Sequence, residues 1–244
     1  MLKIFGYECR RLLCNKFFAG LALIVLFYGW QVLDRVTILG VSHTAPFSPW
    51  SFGDYLSRML PLLWIGALFF LTFFTSNAER RRAVLTSATP VNPSVYGIVR
   101  CCAALTGIAL LSLAAVGLAA FYYWRMFGWH GWGTLLAPAL LTLAPPLVFA
   151  LGSGWLLGRL RPWLVFVWML LPVLLAALPL PEFLGLLNGS IFTERPLSLG
   201  TLDPAFSLPA GTIAAQCAVL VAGAALLAVR PAKAAMGRAS RRGA

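Results

Sequence analysis

A chain of 244 residues that is 60% hydrophobic and only 11% charged cannot be an ordinary soluble domain, in which about a quarter of the residues carry charge. Its mean hydropathy of +0.85 belongs to an integral membrane protein. The net charge of +12 would suit a nucleic-acid partner, but the basic residues are segregated between long apolar runs, which excludes that class.

Residues 2–16 precede the first long apolar run and differ from it in pattern. Leu2, Phe5, Cys9 and Leu12 recur at three- and four-residue spacing, with Lys3, Arg10, Arg11 and Asn15 largely elsewhere on the wheel. This pattern predicts an amphipathic helix lying at a lipid headgroup surface. The apolar run at residues 17–33 is longer than a signal-peptide core and has no small-x-small cleavage site behind it, so it is expected to stay as span one. An outer loop with Pro46, Pro49, Trp50, Phe52 and Tyr55 reads as an interfacial aromatic group. Span two is expected over residues 55–76, with Asp54 and Arg58 four apart and able to pair while the guanidinium snorkels outward.

Span three is expected over residues 101–123, ending in the aromatic group Tyr122, Tyr123 and Trp124. A short loop with Trp129, His130 and Trp132 leads to span four at residues 135–157, which Pro145 and Pro146 should break or kink. Span five, residues 163–180, should be kinked at Pro172. Residues 182–210 alternate short apolar stretches with Gly189, Pro196, Gly200, Pro204 and Pro209, and read as short, re-entrant-like helices dipping into the outer leaflet. Phe183, Leu187 and Phe192 are its candidate functional apolar residues. Span six is residues 211–229, with a basic tail after it.

With these spans, one side receives Lys3, Arg10, Arg11, Lys16, Arg80, Arg81, Arg82, Arg100, Arg159, Arg161, Arg230, Lys233, Arg238, Arg241 and Arg242. The other side holds Arg35, Arg58, Arg125 and Arg195 and most of the acids. Basic loops mark the cytoplasmic side, so both termini are expected there, in a bacterial inner membrane. The expected architecture is all-α: one transmembrane domain over residues 1–244 with six spans and an N-terminal interfacial helix. The five cysteines all fall in cytosolic or in-membrane positions, which argues against a disulfide framework. Cys9 and Cys14 have no histidine or further cysteine nearby to complete a metal site, and read as small apolar filler.

Residues 77–100 stand apart. They carry Glu79, Arg80, Arg81 and Arg82, then Leu85, Thr86 and Thr89, then Pro90, Tyr96 and Arg100. Charges and breakers of this density cannot lie in hydrocarbon, so this is a cytoplasmic loop. It resembles the loop after the second span of ABC-2 type permeases, the membrane subunits of one class of ABC exporters. That loop has an acidic-basic start, a short helix ending in Ser/Thr-x-Pro, and an aromatic and a basic residue leading into span three. Ala83 and Val84 stand where the family carries a glycine. The interfacial first helix and the broken segment before the last span are also similar to that family. The resemblance implies that Glu79, Arg80, Arg81, Arg82, Leu85, Thr86, Thr89, Pro90 and Tyr96 couple the chain to separate ATPase subunits. It also implies a second permease, as a homodimer or with a sister chain, in contact with membrane lipid.

The chain has no phosphate-binding loop of its own. Lys3, Lys16 and Lys233 are followed by Ile4, Phe17 and Ala234, not by the required Ser or Thr. ATP and Mg would therefore belong to the partner, and no cofactor to this chain. Around Gly152-Ser153-Gly154 the glycine required two residues before a nucleophilic serine is replaced by Leu151. Both histidines fall in outer loops and no acid falls inside a span, so neither a serine–histidine pair nor a carboxylate dyad is expected, and the chain does not read as an enzyme. Gly152 and Gly154 read as close helix contacts. A path lined by aliphatic and aromatic side chains and a few hydroxyls (Thr72, Thr106, Ser112, Thr142, Ser153) suits a hydrophobic or amphipathic cargo, a peptide or a lipid-like molecule. The alternative is a non-transporting immunity or signalling protein that binds a peptide at its outer face through Trp129, Trp132 and residues 182–210.

Overall fold

The computed structural model describes residues 2–76 and 93–229, and within these it is all-helical. Helix α1 covers Leu2–Leu13 and α2 Lys16–Arg35. Between them Asn15 is extended, and its side-chain oxygen accepts from the Phe17 backbone N–H at 3.2 Å. A residue expected on the polar face of the first helix is thus the N-cap of the second. Helix α3 is Pro49–Thr75, α4 Pro93–Phe127 and α5 Leu136–Leu160. Two seven-residue helices come next, α6 (Pro162–Trp168) and α7 (Leu171–Ala177). Then come the short α8 (Gly185–Asn188) and α9 (Ser190–Leu199), and finally α10 (Ala210–Ala228).

Among the described residues, five segments are long and apolar enough to cross a membrane: Lys16–Leu39, Pro49–Thr75, Tyr96–Phe127, Gly133–Leu160 and Ala210–Ala228. This fits a multi-pass membrane protein. The expected fifth span is a broken pair. The α-helical hydrogen bonding is interrupted at Met169 and Leu170, which keep right-handed helical dihedrals, just ahead of Pro172, which has no N–H to offer the Trp168 carbonyl. Each piece rises only about 10 Å, too little to cross about 30 Å of hydrocarbon alone.

Helix α3 is the hub, packing against α2, α4, α5, α6 and α7. It begins six residues before the expected start of span two, because Ser48 caps it through the Ser51 N–H (3.2 Å) and Pro49 occupies its first turn. The expected interfacial aromatic group is thereby drawn into the bundle. Trp50, Phe52 and Tyr55 have no exposed surface, and neither do Tyr122 and Tyr123 at the end of α4. Trp124, by contrast, is half exposed. The Asp54–Arg58 pair forms as expected, with Arg58 Nε 2.8 Å from Asp54 Oδ2.

Of the break or kink expected at Pro145 and Pro146 there is no break: α5 runs continuously through both. Both prolines are buried, and packing of α5 against α3 and α10 outweighs the loss of two backbone donors. The expected glycine contacts are present. A Cβ on Gly152 would lie 2.3 Å from the Gly223 carbonyl oxygen, one on Gly223 2.6 Å from the Phe149 backbone, and one on Gly154 2.3 Å from Leu68. Such backbone approach is open only to glycine, and it seats α10 on α5. In thermal unfolding in lipid nanodiscs, Gly223→Ala should lose about 1–3 kcal/mol, the range for overpacking. Gly117→Ala, with nothing within 4 Å of its Cβ position, should be neutral or slightly stabilising.

Candidate functional site

At the end of the bundle where α3 stops and α4 starts, the structure assembles a polar cluster between α1 and α4. Glu8 of α1 has no exposed surface. The Tyr96 hydroxyl donates to Glu8 Oε1 at 2.6 Å, and Arg100 Nη2 donates to the Tyr96 oxygen at 2.9 Å. Arg100 Nε lies 3.5 Å from Glu8 Oε1, and Arg11 Nη1 lies 3.5 Å from Glu8 Oε2. The Arg100 guanidinium also sits over the Tyr96 ring (4.2 Å to the centroid) and beside Phe74 near the end of α3 (5.7 Å). A buried carboxylate requires this density of donors and opposite charge, since burial without them would be costly.

The local fold explains why these groups meet. Pro93 opens α4, so Tyr96 and Arg100 lie one turn apart on a helix rather than in a loop extending to residue 100 as expected. Glu8 falls three residues after Phe5 and four before Leu12, on the same side of α1 as its apolar stripe. That spacing is the sequence signal for its burial, and the apolar periodicity alone passes over it. Leu12 anchors α1 against α4 at Gly107, where a Cβ would come within 2.7 Å of Leu12 Cδ2. Burial is the main influence on the neighbouring Cys9 thiol, pushing it above its ordinary value, in keeping with a neutral packing residue.

Of the sequence candidates at this end, Tyr96 is in the cluster. Glu79, Arg80, Arg81, Arg82, Leu85, Thr86, Thr89 and Pro90 lie outside the described residues. The cluster nevertheless stands at the foot of both helices that flank them, since α3 ends at Thr75 and α4 begins at Pro93. Helix α5 reaches the same end, with Thr75 against Gly158 and the Arg159 guanidinium 4.8 Å over the Trp155 ring.

The opposite end is capped by residues 182–210, which form the expected short helices. Phe192 is fully buried in a cluster with Trp50, Leu186 and Ile191, and its ring fills the space that a side chain on Gly53 would take. Trp50 Nε1 donates to the Pro204 carbonyl at 2.8 Å. Leu187 is half-buried against the main core and Phe183 is half exposed. These three candidates therefore do not form one surface: Phe192 is a packing residue.

The hydroxyls read as path-lining mostly turn back onto their own helices. Thr72 donates to Phe69 O, Thr106 to Cys102 O and Ser153 to Phe149 O. Ser153 also accepts from Trp168 Nε1 at 2.8 Å, which ties α6 to α5. A groove of about 380 Å³ between α4 and α5 is lined almost wholly by aliphatic side chains, among them Leu105, Leu113, Leu140, Leu143 and Leu151. Among the described residues, no three His, Cys, Asp or Glu side chains gather as metal ligands. Comparison with known protein families, curated proteins and solved structures found no match for the chain.

The Glu8 cluster should behave as one unit. Glu8→Ala leaves two guanidiniums and a phenol without their shared acceptor and should cost about 3 kcal/mol. Tyr96→Phe removes two hydrogen bonds to charged groups, one donated to Glu8 and one accepted from Arg100, and should cost about 2–3 kcal/mol. Hydrogen exchange in nanodiscs should show the loss first in the α1 amides, with α10 unaffected.

Proposed function

We propose that this chain is the membrane subunit of an ATP-driven exporter of the ABC-2 permease kind. It forms half of a translocation pathway and takes its energy from separate ATPase subunits. The observation that carries this reading is the buried Glu8–Tyr96–Arg100 cluster. It fixes the surface-lying α1 to the foot of α4, the helix that directly follows the basic loop read from sequence as the ATPase dock. Force applied to that loop would reach α4 and, through a hydrogen-bonded ion cluster, α1 together. A rigid joint here suits a lever; a loop serving only to set topology has no need of one.

In this reading the α6–α7 pair completes six spans, both termini are cytoplasmic in a bacterial inner membrane, and α8 and α9 dip into the outer leaflet. A second permease, identical or a sister chain, completes the pathway. ATP and Mg bind the partner ATPase and not this chain. The aliphatic groove between α4 and α5 supports a hydrophobic or amphipathic cargo. The alternative of a peptide-binding immunity or signalling protein has less support, because Phe192 of its proposed outer surface is buried in packing.

Mild extraction of the tagged chain should bring down an ATP-hydrolysing partner. A chain that stays alone and monomeric overturns the exporter reading and favours the alternative. In the intact complex, Arg81→Ala with Arg82→Ala, and separately Glu8→Ala, should lower cargo-stimulated ATP hydrolysis several-fold with the chain still inserted. Normal coupling in the arginine variant would move the docking role to residues 85–89.

A further inference from the structure

Helix α10 is apolar on every side, so hydrophobicity alone does not choose the face by which it packs. Yet its buried residues are Thr212, Gln216 and Gly223. At 100° per residue these lie within about 40° of one another, on one face. That face meets α5, where Gly223 touches the Phe149 backbone and Gly152. Arg159 Nη1 also donates to the Val229 carbonyl at 3.4 Å. Both contacts pair residues about 70 positions apart, so α5 and α10 run in the same direction. The same offset, continued two to three turns along the pair, puts Gln216 level with Pro145 and Pro146, and Thr212 level with Leu141 and Thr142.

This level holds a concentration of unmet hydrogen-bonding capacity. Gln216, Thr212 and Thr142 are each 1% exposed. Gln216 Oε1 and Nε2, Thr212 Oγ1 and Thr142 Oγ1 have no hydrogen-bond partner among the described residues. Pro145 and Pro146 carry no N–H, so the Leu141 and Thr142 carbonyls lose their helical donors at the same height. The set contains donors and acceptors but no charge.

We infer that Gln216, Thr212 and Thr142, with the carbonyls released by Pro145 and Pro146, form a buried binding site for water between α5 and α10. Water is small, neutral, and both donates and accepts, which is what this mixture of a carboxamide, two hydroxyls and two carbonyls demands. An ion would find no compensating charge. The bridged water fixes the rotation of α10, a helix whose apolar faces are otherwise equivalent, and replaces the backbone bonds missing at the proline pair. This assignment is independent of the exporter reading.

The deciding measurement is a cryo-EM map of the full-length wild-type protein in lipid nanodiscs, at a resolution that shows ordered water. Density within hydrogen-bond reach of Gln216 Oε1 or Nε2 and of Thr142 or Thr212 supports the site. A carboxamide bonded directly to Thr142 or to the Leu141 carbonyl, with no water between, overturns it. Thermal unfolding gives a second test. Gln216→Leu, of similar volume, should lower Tm by roughly 4 °C by stranding the remaining groups. An unchanged or raised Tm marks a dry site and overturns the inference.

Discussion

Most of this bundle is assembled on α3, with α1 and α10 joined to it through α4 and α5. The helix is buried along most of its length, with Trp50, Phe52 and Tyr55 near one end and Phe70, Leu71 and Phe74 near the other. In a membrane, lipid tails satisfy an apolar side chain as well as a protein core does, so burial of this kind reflects shape and close packing rather than flight from water. The contacts around α3 show this: Leu68 and Leu71 against Gly154, and Phe192 over Gly53. Small residues set how near the neighbours come, and aromatic rings fill what remains.

The two ends of α3 are closed by different chemistry. At one end, Trp50 and Phe192 make a small apolar cluster roofed by residues 182–210, joined by the Trp50–Pro204 hydrogen bond. At the other end, the ring of Phe74 adjoins Arg100, which with Tyr96 and Arg11 surrounds the Glu8 carboxylate. A nonpolar cap tolerates small shifts, because dispersion contacts are many and weak. A buried carboxylate does not, since each lost donor leaves charge unmatched in a low-dielectric setting. The Glu8 end is accordingly the stiffer joint, and it is the end from which the basic loop departs.

Much of this was legible in the sequence. The long apolar runs, the Asp54–Arg58 pair, the short helices after residue 181 and the glycine contacts of Gly152 and Gly154 all come from local pattern, since each depends on spacing along one helix or on what a residue type permits. The buried aromatics of α3 and α4 were not legible. Trp and Tyr near the end of an apolar run look alike whether they face headgroups or a neighbouring helix, and only the start of α3 at Pro49 decides between the two. The Glu8 cluster was legible only in fragments: Tyr96 and Arg100 by resemblance, and Glu8 by a spacing that periodicity assigns to apolar residues.

The sequence by itself therefore determined the class of the protein, the presence of several long apolar helices, and where charge was excluded, because transfer free energies follow from composition. The tertiary structure decided which polar groups are buried and what they meet. Glu8 and Tyr96 are 88 positions apart, and Gly152 and Gly223 lie on helices separated by α6 to α9. No local propensity links residues at such distances. Only the packing of one helix surface on another brings a carboxylate to its donors, or a glycine to the backbone it admits.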